Sequence, residues 1–306
     1  MEGRNPTLNT NTTKTGRITA IQSSKGGVGK TSSTAIISQI LALSGQKVLI
    51  IDMDYQRNLT DMMAKDREYI PAMSLDELVL NDVDVDRIKE AIVPTKLENL
   101  DLVPTSENIH MLHYSLYDEI KENPKKIFCL RNNLKKIIGT EYDHIIFDTS
   151  PALTTMTTAI TLCCDTTLIP IEGDNFGFQS VVNIMNMVYE TDSYYELNEG
   201  KKVYVFMTKV QSRTTRTKDM FQGYTELLGD TFLPISIRSS EPIARASASF
   251  VPIMLSPNKK NEAVNEYIDL LKGIDYLNGR QFIKVKRYQE GALITKKNGT
   301  KKKGVK

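Results

Sequence analysis

The sequence predicts an α/β fold in which a doubly wound, mostly parallel sheet carries helices on both faces. Apolar runs of strand length alternate with amphipathic segments of helix length along most of the 306 residues. A glycine-rich loop joins the first such run to the first helical segment, and two later runs end in aspartate. A chain of this length, 40% hydrophobic, can bury one large core.

The first elements surround the glycine-rich loop. A strand is predicted over residues 17–21, and a helix over 31–43 has apolar positions at helical spacing before a stop at Gly45. A buried strand within 47–54 then delivers two carboxylates at its end. Ligand-binding loops are therefore expected at the carboxyl ends of the strands.

The remaining elements continue the alternation to a total of about seven or eight strands. Ser74 and Glu77 have the spacing of a capping box, and Thr105 or Ser106 is expected to cap a later helix. Further strands are predicted at 100–103, 142–148, 166–171, 202–208 and 231–237. Helices are predicted at 85–92, 106–120, 126–138, 178–189, 214–228 and 261–271.

The loop of residues 24–32 reads SKGGVGKTS and fits the phosphate-binding pattern G-x-x-x-x-G-K-[ST] loosely, because Ser24 stands where that pattern has its first glycine. Glycines let successive backbone N–H groups turn toward phosphate oxygens. Lys30 can reach the β and γ oxygens, and Thr31 can bind Mg²⁺. The loop therefore predicts a nucleoside triphosphate at a helix N-terminus, the architecture of a P-loop NTPase.

Three aspartates lie at predicted strand ends. Asp52 and Asp54 end the second strand, and Asp148 ends the apolar run Ile145–Phe147. A carboxylate in this place can hold the shell of a magnesium ion, directly or through water. An isolated aspartate after a strand is as often the cap of the next helix.

Charge divides the chain into three parts. The net charge is +2, but residues 280–306 contain ten Lys or Arg and one Glu, a net charge of +9. Residues 1–279 therefore have a net charge of −7. We expect a flexible arm at 1–16, an ATPase domain at 17–279 and a basic tail at 280–306. A basic tail on an acidic body suggests contact with a polyanion, although a merely solubilising tail has the same composition.

Other sites are not supported by the sequence. No apolar run reaches the length of a membrane span and the N-terminus lacks a signal core, so a cytoplasmic protein is expected. Cys129, Cys163 and Cys164 have no metal-ligand spacing and are expected to fill the core. His110 and His113 share a helical face but lack an evident third zinc ligand.

KGGVGKTS followed by VLIIDMDYQRNLT resembles the deviant Walker A ATPases of the ParA and MinD superfamily, and most of all the ParA partitioning branch. The resemblance covers roughly residues 17–275, with Tyr55 where the family more often has proline. It implies ATP and Mg²⁺ as ligands and an ATP-dependent homodimer. It also implies non-specific DNA and a centromere-binding ParB-like protein as partners, slow partner-stimulated hydrolysis, and association with the nucleoid.

The resemblance also implies roles for individual residues. Lys25 would reach across the dimer to the partner's phosphates, and Asp54 would orient the attacking water; with Lys30 they form the expected catalytic set. The Mg²⁺ ion would be held by Thr31 and, less directly, by Asp52 and Asp148. The expected ATP-binding residues are Lys25, Gly26, Gly27, Val28, Gly29, Lys30, Thr31 and Ser32.

Candidate DNA contacts lie late in the chain, where each residue could equally be a solvated or paired surface charge. They are Arg213, Arg216, Lys218, Arg238, Arg245, Lys284, Lys286 and Arg287. A MinD-like membrane regulator is the main alternative, but glycines interrupt any amphipathic helix in the tail. A metabolic P-loop ligase or a nitrogenase-type reductase is a weaker alternative, since the cysteines do not supply a cluster.

Overall fold

The computed structural model describes residues 16–172, 175–197, 200–211, 215–255 and 261–277. The predictions for the N-terminal arm through residue 15 and for the basic tail from 280 onward lie outside the described residues, as does Arg213. The side chain of Arg216 is also outside them.

Eight strands form one sheet within the described part of the chain, as the alternating pattern predicts. The strands are β1 (Arg17–Ile21), β2 (Val48–Met53), β3 (Val93–Pro94), β4 (Leu100–Val103), β5 (His144–Thr149), β6 (Thr166–Ile171), β7 (Lys202–Val210) and β8 (Phe232–Arg238). Their spatial order is β3-β4-β2-β5-β1-β6-β7-β8. All neighbours run parallel except β3, which is antiparallel to β4. The doubly wound, mostly parallel topology is confirmed.

Helices connect the strands. Those of the described residues are α1 (Lys30–Leu43), α2 (Asn58–Met63), α3 (Leu75–Leu80), α4 (Val85–Lys89), α5 (Ile109–Glu122), α6 (Cys129–Lys135), α7 (Thr155–Cys163), α8 (Asn175–Tyr194), α9 (Thr215–Leu228), α10 (Glu241–Ala248) and α11 (Glu262–Gly273). Short 3₁₀ turns occupy Pro124–Phe128, Gly229–Thr231 and Ile253–Leu255. None of these described helices is long and apolar enough to cross a membrane.

Both faces of the sheet are buried. Along β2, Val48 and Ile50 pack in the cluster that includes α1, α2 and α11, whereas Leu49 and Ile51 pack in the opposite cluster with α3 to α7. Successive strand side chains point to opposite faces, so a strand covered on both sides needs a continuous apolar run. This explains the unbroken apolar runs at residues 48–51 of β2 and 145–147 of β5.

Two helix predictions need correction. α5 begins at Ile109 after Asn108, not after Thr105 or Ser106. The Thr105 amide donates to Thr60 Oγ1 at 3.2 Å, and Ser106 Oγ donates to Asp76 Oδ1 at 2.5 Å. These two residues therefore fasten the β4–α5 loop to other elements. The helix predicted over 126–138 is instead a 3₁₀ turn followed by the shorter α6.

Four elements were not predicted: β3, α2, α7 and α10. β3 has two residues and α2 has six, too few for a periodicity to show. α7 carries four threonines among its nine residues, a residue type with low helix propensity. The cysteines behave as predicted, because Cys129, Cys163 and Cys164 are all buried and unbonded to each other.

The two ends of the described domain are joined at the amino-terminal edge of the sheet. Arg17 donates to the Asp275 carbonyl at 2.7 Å, and its guanidinium lies 4.9 Å from the ring centroid of Tyr276. Tyr276 is 2% exposed, and its hydroxyl lies 2.7 Å from Thr19 Oγ1. The chain therefore leaves α11 beside the start of β1, at the sheet edge opposite the carboxyl ends of the strands.

Removing the Tyr276 side chain should destabilise the domain. We expect Tyr276→Ala to lower the free energy of unfolding by about 3–5 kcal/mol, because a buried aromatic ring is lost. Tyr276→Phe should cost about 1–2 kcal/mol, because only the hydrogen bond is lost. Urea denaturation measures both values. Tyr189→Ala is the control, since Tyr189 is 55% exposed and should change stability by less than about 0.5 kcal/mol.

Candidate nucleotide-binding site

The glycine-rich loop lies at the carboxyl end of β1 and leads directly into α1. Gly27 and Gly29 have φ angles of 79° and 87°, a backbone conformation that side chains with a Cβ adopt only with strain. A Cβ built on Gly26, Gly27 or Gly29 meets no atom within 4 Å. The backbone conformation therefore requires glycine at positions 27 and 29, and all three glycines face open space in which a ligand can sit.

Hydrogen bonds with α8 and β7 hold this loop in place. Ser180 Oγ on α8 accepts a hydrogen bond from the Ser24 amide at 2.9 Å and lies 2.8 Å from Ser23 Oγ. Thr208 Oγ1 on β7 donates to the Val28 carbonyl at 2.8 Å. Val28 itself is buried. The loop is thus fixed before a ligand arrives, which reduces the entropic cost of binding.

Lys30 is the first residue of α1 and is only 7% exposed. Its ammonium donates to the Lys25 carbonyl at 3.3 Å. Burial lowers the pKa of Lys30, and the charges of Asp148 and Asp54 act in the opposite direction. A phosphate would supply the strong anionic partner that this buried ammonium needs.

Asp52, at the end of β2, is buried with both carboxylate oxygens occupied. Oδ2 accepts hydrogen bonds from the Thr60 hydroxyl at 2.7 Å and the Thr60 amide at 2.8 Å. Oδ1 accepts a hydrogen bond from the Asp54 amide at 3.1 Å. Burial raises the pKa of Asp52 to about 6, although the Thr60 bonds oppose the shift. Because both of its oxygens already accept hydrogen bonds, Asp52 could act on a metal only through intervening groups.

Asp148, at the end of β5, is paired in register with Asp52. Its Oδ1 accepts a hydrogen bond from Thr34 Oγ1 at 3.3 Å, but Oδ2 is buried without a hydrogen-bond partner among the described residues. Burial, and then the charge of Asp52, raise the pKa of Asp148 well above its usual value, against the effects of Thr31 and Lys30. A cation nearby would stabilise the ionised form of Asp148, which burial and the charge of Asp52 disfavour.

The donor set fits magnesium. Mg²⁺ prefers oxygen ligands, keeps several waters, and uses one or two carboxylates together with substrate phosphates. The described residues contain no cluster of three or more His, Cys, Asp or Glu side chains that would bind a metal alone. An orphaned oxygen on Asp148 beside a phosphate-binding loop is the arrangement that Mg²⁺ and a nucleotide would complete together.

A cavity of about 370 Å³ opens in front of the loop, large enough for a triphosphate. Asp54, Tyr55, Pro151 and Lys209 line it together with the glycines. Asp54 follows the end of β2, and its Oδ1 accepts the Gln56 amide at 3.0 Å. The structure therefore gathers the predicted ATP-binding, catalytic and metal-binding residues at one sheet edge.

Two charged residues near this cavity were missed by the sequence analysis as site residues. Glu172 directly follows β6 and pairs with Lys25 Nζ at 3.3 Å. Lys209 lies near the end of β7, lines the cavity and pairs with Glu172 at 3.2 Å. Both follow the rule that ligand-binding residues lie at the carboxyl ends of parallel strands, which was the available signal.

The candidate DNA contacts do not form one group among the described residues. Lys218 is exposed on α9. Arg238 pairs with Glu266 at 2.7 Å and also with Glu262, both on α11. Arg245 pairs with Glu241 one turn earlier on α10. Lys284, Lys286 and Arg287 lie outside the described residues with the rest of the tail.

Known proteins similar to this chain include partitioning proteins. A family model described as an AAA domain matches residues 16–203. The sporulation initiation inhibitor protein Soj of Bacillus subtilis is 27% identical over 266 residues, covering 85% of this chain and 98% of that protein. The chromosome partitioning protein ParA of Caulobacter vibrioides is 25% identical over 231 residues, covering 74% of this chain and 83% of that protein.

A solved structure adds a relative with a bound nucleotide analogue. A putative plasmid partition protein from Borrelia burgdorferi, bound to AMPPNP, has a TM-score of 0.67 and 26% identity to this chain. The match covers 85% of this chain and 99% of that one. The likeness thus extends over nearly all the described residues.

Replacing the buried Asp148 carboxylate should stabilise the nucleotide-free protein. We expect Asp148→Asn to raise the free energy of unfolding near neutral pH by about 1–2 kcal/mol, because folding desolvates this carboxylate beside Asp52. The pKa of Asp148 is raised in the folded state. The loss of stability caused by its carboxylate is therefore absent below the unfolded-state pKa of about 4 and grows as pH rises above that value.

Urea denaturation between about pH 4 and pH 8, without magnesium or nucleotide, measures this difference. Asp118→Asn is the control, because the Asp118 side chain is 75% exposed and should give no comparable trend. A gain at Asp148 that does not depend on pH would contradict the assigned cause.

Proposed function

The chain belongs to the AAA domain family and is a ParA-type partitioning ATPase, and on that premise we propose that it is a DNA-segregation switch driven by ATP. In this proposal the ATP-bound protein is a sandwich dimer that binds non-specific DNA at the nucleoid. A centromere-binding ParB-like partner stimulates hydrolysis, and the dimer then leaves the DNA.

The observation that supports this function best is the placement of two lysines on one phosphate-binding loop. Lys30 is buried and faces its own cavity, where it can bind the phosphates of the same subunit. The Lys25 side chain is 27% exposed and pairs with Glu172 at 3.3 Å. A second lysine at this position would serve the nucleotide of a facing subunit, which makes dimerisation depend on ATP.

Exposed apolar side chains near the cavity also favour a facing subunit. Tyr55 lines the cavity and is 61% exposed, and Leu153, two residues after Pro151, is 47% exposed. Large apolar side chains around a polar site are typical of an association surface. A dimer formed through this face would exclude water from the triphosphate.

Magnesium and water would be held by the carboxylates. Asp148 offers an unpartnered oxygen, and Thr31 offers its hydroxyl at the cavity. Asp52 would act less directly, because its oxygens already accept hydrogen bonds from Thr60 and Asp54. Asp54 is our candidate for orienting the attacking water. Mg²⁺ would neutralise charge that develops on the phosphates, and the residues provide position more than covalent chemistry.

The basic tail is the stronger candidate for binding DNA. Arg238 and Arg245 have carboxylate partners within the domain, so their net attraction for phosphate is reduced. Residues 280–306 carry a balance of +9. A dimer would present two tails to one duplex, and the second tail would then bind at a high effective concentration.

DNA binding in defined nucleotide states tests the proposed function. We expect the protein to bind a non-specific duplex with ATP or a non-hydrolysable analogue and weakly with ADP or no nucleotide. Raising salt from about 50 to 200 mM should weaken binding at least tenfold, because counterions are released from DNA. Fluorescence anisotropy measures both effects. Binding to anionic liposomes without binding to DNA in any state would contradict the proposal and favour a membrane regulator.

Removing residues 280–306 tests the tail separately. We expect weaker DNA binding and a smaller salt slope, while ATP-dependent dimerisation measured by sedimentation stays the same. A full-length variant with the last six tail lysines replaced by glutamine keeps chain length and should behave like the truncation. If both variants kept the wild-type salt slope, DNA would be bound elsewhere.

Lys25→Ala tests the role of the second lysine. We expect this variant to bind ATP analogue within about threefold of wild type but to remain monomeric, because its contribution falls on the partner subunit. Lys30→Ala, on the same loop, should lose nucleotide binding itself. Calorimetry and sedimentation distinguish the two losses. Full ATP-dependent dimerisation by Lys25→Ala would refute the cross-dimer role.

A further inference from the structure

Glu172 binds two lysines at the rim of the phosphate site. Its Oε2 lies 3.3 Å from Lys25 Nζ, and its Oε1 lies 3.2 Å from Lys209 Nζ. The Glu172 side chain is 30% exposed and that of Lys209 is 51% exposed. One carboxylate therefore joins the loop lysine to a residue of β7 that is 184 positions later in the sequence.

The backbone of β7 turns Lys209 toward the loop. Lys209 has a φ of 55°, in the left-handed region that non-glycine residues seldom adopt. The β7–β8 register also shifts between Met207 and Val210, as at a β-bulge. Bulges redirect side chains near functional sites. The Lys209 ammonium consequently donates to the carbonyl of Gly27 in the glycine-rich loop.

The charges have a consequence for Lys25. A carboxylate beside a triphosphate site opposes anion binding unless cations compensate it. Lys25 must leave Glu172 if its ammonium is to reach the phosphates of a facing subunit. Lys209 also contacts Glu172 and would remain beside it, so Glu172 would not be left without a cation.

We propose that Glu172 is a positioning residue that holds Lys25 within its own subunit before ATP binds. Lys209 is the counter-ion that stays beside Glu172 and thereby eases the release of Lys25. The proposal rests on the cross-dimer role of Lys25 in the proposed function. Glu172 thereby resists dimerisation, and Lys209 favours it. Partly exposed ion pairs of this kind predict effects of about two- to fivefold.

The holding contact can be tested in the nucleotide-free protein, with no dimer or DNA. We expect Glu172→Gln to speed acylation of Lys25 by an amine-reactive reagent about two- to fivefold, as measured by mass spectrometry of the Lys25 peptide. Glu141→Gln is the matched control, because Glu141 pairs with Lys89 at the same 3.3 Å. It should leave Lys25 labelling unchanged. An unchanged Lys25 rate in Glu172→Gln would overturn the holding role, whether or not the protein binds DNA.

The counter-ion role is tested by dimerisation across a double-mutant cycle. Glu172→Gln should lower the concentration of ATP analogue needed for half-maximal dimerisation, and Lys209→Met should raise it, each about two- to fivefold. In the double variant, the Lys209→Met effect should disappear, because the carboxylate it compensates is gone. A full Lys209→Met effect in the Glu172→Gln background would show that Lys209 binds phosphate directly and would overturn this role. Thermal unfolding of all variants checks that folding is retained.

Discussion

The position of β5 between β1 and β2 is the constraint on which the site depends. Because the three strands run parallel, their carboxyl ends meet at one edge, and Asp148 is in register with both Ile21 and Asp52. The glycine-rich loop leaves β1 at the same edge. Residues 21 and 148, distant in sequence, are thereby neighbours with no loop contact needed to bring them together.

This convergence would be costly without bound ligands. Burial raises the pKa of Asp52 and Asp148 and lowers that of Lys30, so each charged group is disfavoured where it stands. Their opposite charges relieve one another only in part. Metal and triphosphate would supply compensating charges. The stability that the protein gives up without these ligands would then become binding free energy for them.

The sequence was sufficient for the elements whose signals are local. The strand runs, the glycine loop and the aspartates at strand ends follow from burial on two faces and from backbone conformation. Glu172 and Lys209 could not be recognised as a pair, because their contact depends on a bulge in β7 and on strands meeting in space. The start of α5 was misplaced since Ser106 bonds to Asp76 on another helix, which no local pattern records.

The two ends of the sheet separate the candidate nucleotide site from the end of the described chain. The candidate nucleotide-binding residues lie at the carboxyl edge. The chain leaves the domain after Tyr276 at the amino edge, where Arg17 and Thr19 hold it. The last described residue, Leu277, therefore lies near the sheet edge opposite the glycine-rich loop, three positions before the basic tail begins. A change confined to the glycine-rich loop would have to pass along β1 to reach this edge. In the proposed function, joining two subunits at the carboxyl edge would bring two tails together without deforming either sheet. Dimerisation is then the simpler physical link between ATP and DNA.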